Sequence, residues 1–141
     1  MKSLVACACI VAMATLAAQA PMAGVAIVTD EDYGKAMKEI GEQSAALRKS
    51  IATPSETDAA ASAARLETIL KDVQAYWENK KVEDAARFAK NAAGAARAVS
   101  KAVAAHDMPA AGTANQTLGA QCMSCHTAHR DRLPDGTFRM K

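Results

Sequence analysis

Aromatic side chains are scarce in this 141-residue chain: two Phe, two Tyr and one Trp make up 4% of it. Sheets draw on aromatic and β-branched residues, so the shortage argues against a β-built core, and the abundance of alanine, the strongest helix former, argues for helices. Proline occurs four times and glycine seven, too seldom to punctuate many short strands. Charge of one sign is missing as well. Seventeen Lys and Arg stand against fifteen Asp and Glu, a net charge of +2, and the signs are interspersed, which gives no footing for nucleic acid or a strongly polarised partner. The length suits one domain.

Cysteine is almost absent beyond the N-terminus. The opening stretch MKSLVACACIVAMATLAAQAPMAGVA carries one positive residue, an uncharged apolar run and then small residues, the layout of a secretory signal peptide over residues 1–26. Cleavage after Ala20 would place Pro21 at the scissile bond, so cleavage after Ala26 is an equal alternative. An uncleaved anchor is the rival, because residues 4–28 are almost free of charge. With cleavage, Cys7 and Cys9 leave, and the mature domain, residues 27–141, has no membrane span. Cys122 and Cys125 then enter an oxidising compartment, yet the loop between them is too small to staple a fold.

The rest of the chain divides into four helix-length pieces. Residues 30–52 follow Thr29 as N-cap with Asp32 three residues on, and carry a stripe of Tyr33, Met37, Ile40, Ser44, Leu47 and Ile51. Residues 56–78 turn Leu66, Ile69, Leu70, Val73, Tyr76 and Trp77 inward, and residues 82–106 do the same with Phe88, Val99, Val103 and several alanines. The fourth piece spans residues 113–132 and stops at Pro134-Asp135-Gly136. Short connections between such helices predict an all-α, antiparallel up-down-up-down four-helix bundle, with no β-period stretch. That topology gathers Tyr33, Met37, Tyr76, Trp77, Phe88, Cys122, Cys125 and His126 at one end, which suits a bulky flat group.

Residues 122–126 read CMSCH. A zinc cage wants about four N or S ligands, and His126 with His129 could complete one only by crowding a single turn. A redox dithiol wants a neighbouring βαβ unit. Covalent haem c attachment uses the whole motif: both thiols form thioethers with the haem vinyl groups, and the adjacent histidine ligates the iron. The spacing suits it, because a helical Cys-X-X-Cys presents both sulfurs on nearly one face. Opposite His126, Met37 is level in depth, about 10 Å into its helix against about 9 Å, and is either an iron ligand or core packing. His129 shares the face of His126, and His106 lies about 20 Å away. Met140 is a further methionine near the C-terminus.

An exported helical chain with Cys122-Met123-Ser124-Cys125-His126 close to its C-terminus resembles the class II c-type cytochromes, the group of cytochrome c′ and its low-spin, methionine-ligated relatives. The resemblance covers the mature chain, from Tyr33-Gly34-Lys35-Ala36-Met37-Lys38-Glu39-Ile40-Gly41 to Cys-His-Thr-Ala-His129-Arg130. It implies one haem c, iron ligation by His126 and, from the Met37-Lys38 and Gly41 pattern, by Met37, with Arg130 as the basic residue beside the haem. Where the family commonly has an arginine near the haem propionates this chain has Tyr33, which leaves Lys35 or Arg130 for that task.

The function expected is a periplasmic one-electron carrier, not an enzyme, meeting redox partner proteins. Lys35, Lys38, Lys80 and Lys81 lie near the expected haem edge. The alternative is a five-coordinate cytochrome c′ that binds NO or CO. A third expectation, an interaction bundle, rests on alanine-rich faces at residues 59–64 and 92–96 that permit a homodimer. The tail, residues 133–141, is expected to fold back over the haem edge with Phe138 and Met140 as cover.

Overall fold

The computed structural model describes Gly24 and residues 26–141. The expected signal peptide, with Cys7 and Cys9, lies outside the described residues apart from Gly24 and Ala26. Four helices dominate: α1 (Asp30–Ala52), α2 (Glu56–Asn79), α3 (Glu83–Ala104) and α4 (Met108–His129). The fold is all-α, compatible with the expected bundle. No helix among the described residues is long and apolar enough to cross a membrane.

Helix α1 begins where its sequence dictates. The Thr29 hydroxyl accepts from the Asp32 backbone N–H at 3.1 Å and the Asp32 carboxylate accepts from the Thr29 N–H at 3.0 Å, a reciprocal cap. Helices α2 and α3 end without glycine. Lys81 (φ 58°) and His106 (φ 56°) take the left-handed position, and the N–H groups of Val82 and Asp107 reach back to the carbonyls of Trp77 and Ala102. These are Schellman closures, which satisfy carbonyls the helix leaves unpaired.

Two boundaries differ from expectation. Helix α4 starts at Met108, not at residue 113. Asp107 caps it by accepting from the Ala110 N–H at 2.9 Å, and Pro109 sits in the first turn, where its missing N–H is no loss. At the other end α4 stops at His129, and residues expected to be helical enter a hairpin of β1 (Arg130–Arg132) and β2 (Phe138–Met140). Arg130 pairs with Met140 and Arg132 with Phe138 in antiparallel register. Gly136 (φ 84°) supplies the turn's positive φ, and the Asp135 carboxylate accepts from the Thr137 N–H at 2.9 Å. The tail does fold back, as a strand.

Neighbouring helices run antiparallel. Tyr33, near the start of α1, stacks on Tyr76 near the end of α2 with ring centroids 4.9 Å apart. Asp84, at the start of α3, meets His129 at the end of α4 at 2.9 Å, and at the opposite end Glu56 meets His106 at 2.7 Å. The core is built from Leu47, Leu66, Leu70, Val73, Val99, Val103 and a run of small side chains including Ala59, Ala63, Ala85, Ala89, Ala92 and Ala96. Helix α3 is buried over a wide arc because it packs on both α2 and α4.

The fourth side of this arrangement is nearly open. Helix α1 packs on α2 but meets α4 at very few positions. In α4 only Ala111 and Leu118 are buried, although Leu118, Cys122 and Cys125 follow the spacing of one helix face. That face borders space, and the space is where the candidate site lies.

Candidate functional site

Two cavities occupy the gap between α1 and α4, and both are bordered by Tyr33, Met37 and His126. The first, about 530 Å³, runs along the bundle between Met37, Ile40 and Ser44 of α1 and Leu118, Cys122 and Cys125 of α4, floored by Leu70, Val73, Phe88 and Ala92. The second, about 780 Å³, opens toward Tyr76, Trp77 and Lys80 of α2 and toward the hairpin residues Arg130, Phe138 and Met140. Each volume falls in the range of sites that enclose small molecules and cofactors, roughly 300–1,000 Å³.

The structure brings four of the sequence-chosen residues together on these walls: Cys122, Cys125, His126 and Met37. Met37 and His126 border the same two spaces from different helices. Arg130 joins them at the second cavity, with its guanidinium 3.6 Å from the centre of the Phe138 ring. The other histidines lie elsewhere. His106 is exposed at the far end against Glu56, and His129 turns away from both cavities to Asp84, its ring tilted over Trp77 at 6.1 Å. Lys35, exposed, pairs with Glu31 at 2.7 Å and borders neither space.

Protonation follows from burial. Both thiols are free. Burial pushes the Cys122 thiol up, and burial, then Cys122 and Asp84, push Cys125 up. A disulfide-exchange site needs the reverse, a thiol with depressed pKa, so the geometry gives the redox-dithiol alternative no support. Burial, and then the Arg130 charge, hold the His126 imidazole below the ordinary histidine value. At neutral pH it is uncharged and has a nitrogen lone pair to offer a metal. Burial raises the Tyr33 phenol to about 12, against the opposing pull of the Trp77 indole N–H. That Trp77 Nε1 donor is itself buried with no partner of hydrogen-bonding geometry among the described residues.

Among the described residues no group of three or more His, Cys, Asp or Glu side chains is placed to hold a metal ion. The site instead offers two thiols, one neutral imidazole and, across the gap, one thioether.

The tail was expected to bring Phe138 and Met140 to this place, and both border the second cavity, but sequence reasoning missed that it does so as a paired strand. Arg139 and Lys141 also border the second cavity. The available signal was the Pro134-Asp135-Gly136 turn flanked by two runs of like length, overlooked because the runs lack a clear alternation.

No family model matches the chain, and no curated protein matches it.

Proposed function

We propose that this protein is a periplasmic monohaem c-type cytochrome of the four-helix-bundle class that carries one electron at a time. The observation that carries the reading is the placement of the CMSCH segment. Its two thiols and its uncharged imidazole border one side of the α1/α4 gap, and Met37 borders the other.

The fit is one of chemistry and of shape. Cys122 and Cys125, one helical turn apart, would hold the haem through thioether bonds, and His126 and Met37 would ligate its iron. When bound, the haem supplies a one-electron ferric/ferrous couple. The chain's own residues do the rest. Leu70, Val73, Phe88 and Ala92 give the first cavity an apolar floor, which would lower the dielectric around a bound group. Asp84 keeps His129 turned away, so that one histidine of the pair is left for the iron. Arg130, whose charge acts on His126, disfavours protonation of that ligand. On this reading the protein is an electron carrier and not an enzyme. Redox partner proteins would meet the haem edge, where Lys80 stands on the rim.

A second reading has its own observation. The first cavity extends past Met37 to Gly41 and Ser44, space in which a small ligand such as NO or CO could approach a five-coordinate iron. One experiment separates them. The exported protein is examined for covalent haem by mass, then by optical spectrum in both oxidation states, with and without CO. A low-spin spectrum indifferent to CO supports the electron carrier, a high-spin spectrum that shifts with CO supports the gas binder, and a mass without haem ends both.

A further inference from the structure

The two cavities differ in charge, and haem attachment by the CMSCH segment does not use that difference. The first carries both thiols and, at its far end beside Ser44, a lone cation, Arg48. The second carries no thiol, and its rim holds the cationic residues Lys80, Arg130, Arg139 and Lys141 against one carboxylate, Asp30. Like charges gather at a rim only against self-repulsion, so a concentration of this kind marks a place for an anion.

We propose that Lys80 at the end of α2, with Lys141 and Arg139 of the C-terminal hairpin, forms a carboxylate-binding site for the two propionates of the haem, in place of any cation on α1. The inference rests on the haem reading above and assigns that group its orientation. A porphyrin tethered through its vinyl edge presents its carboxylates at the opposite edge. Both cysteines border the first cavity alone, so the edge away from them lies across Tyr33, Met37 and His126 in the second.

The residues are held in readiness. The Lys80 ammonium donates to Asp30 Oδ1 at 2.7 Å and lies 4.7 Å from the centre of the Tyr76 ring. That anchorage fixes the side chain on the rim while leaving it donors to spare, since an ammonium has three. Lys141 and Arg139 share one carboxylate, Asp131, at 3.3 and 3.9 Å. These long, exposed pairs contribute little, and a propionate can replace them at small cost. On α1 the corresponding place is taken by Tyr33, buried against Tyr76 and Trp77, which has no charge to give.

The test uses the haem-loaded full-length protein and resonance Raman spectroscopy, in which the propionate bending band reports hydrogen bonding to the carboxylates. In Lys80→Gln/Lys141→Gln the band should shift to lower wavenumber while the optical spectrum of the iron stays unchanged, and Lys80→Arg should restore most of the shift. Lys141→Gln alone, which leaves the Asp30 and Tyr76 contacts intact, should give a smaller shift in the same direction, so the test survives if Lys80→Gln disturbs the helix end. A band unmoved in both glutamine variants, or one that moves only in Arg48→Gln, overturns the inference while the haem reading stands. Absence of covalent haem from the unmutated protein overturns both.

Discussion

At the scale of single residues, Met37 and Asp30 each make a separable statement. Met37 borders both cavities from α1, and on the proposed reading its sulfur completes the iron's coordination. Met37→Ala should therefore turn a low-spin spectrum high-spin and make it respond to CO, with little loss of stability because the side chain is only half buried. Optical titration with CO checks this. Asp30 concerns the fold. Hydrogen bonds from Lys80, and then from Tyr76, hold its carboxyl below the usual carboxylate range. A carboxyl depressed in the folded state adds stability that is complete above the unfolded value, about 4, and is lost as pH falls through the depressed value. Asp30→Asn should lower the urea midpoint at pH 6, and the gap from the unmutated protein should close toward pH 2. The residue pattern was readable where the chemistry is local: CMSCH declares its own spacing, and the count along two helices placed Met37 level with His126. The Tyr76–Asp30–Lys80 contact was not readable, since it joins residues brought together only by the return of α2 beside α1.

At the scale of elements, the helix ends carry the next expectation. Lys81 holds a left-handed backbone at the close of α2, a conformation that costs a side-chain-bearing residue about 1–2 kcal/mol. Glycine removes that strain but gives back about 0.4–1 kcal/mol of unfolded-chain freedom. Lys81→Gly should thus raise stability by about 0.5 kcal/mol, measured as a higher denaturation midpoint at unchanged slope. The same ends show why sequence reading located helices better than their limits. Thr29 with Asp32 announces the start of α1 by residue type, and the reciprocal bonds are there. Nothing in Asn79-Lys80-Lys81 announces a Schellman closure made without glycine, and Pro109 reads as a stop although it sits inside the first turn of α4. The hairpin after His129 was missed for a related reason. Its strands are too short to display a period, and their pairing is set by the turn at Gly136.

For the whole molecule, the core and the gap answer to different forces. The α2/α3 interface is close-packed from alanine and a few branched side chains, and Leu66 within it has no exposed surface. Leu66→Ala should cost about 2–5 kcal/mol, the range for emptying a buried leucine site, read from chemical denaturation. The alanine-rich stretches at residues 59–64 and 92–96, read from the sequence as faces for close helix contact, have Ala59, Ala63, Ala92, Ala93, Ala95 and Ala96 buried within this core, where small side chains let helices approach. The opposite side could not be foreseen: an alternating bundle predicts that first and last helices touch, whereas here α1 and α4 stand apart over most of their length. Only the gathering of large side chains at one end hinted that something other than protein belongs there.

That separation bears on how the chain reaches its shape. Nearly all of its helix packing joins helices adjacent in sequence, so few contacts have to close a loop as long as the whole bundle before others reward it. Low contact order of this kind places a helical domain among the fast folders, in the microsecond-to-millisecond class. The one pairing a closed bundle would complete, first helix to last, spans the longest loop of all, and in this chain it is confined to a few positions.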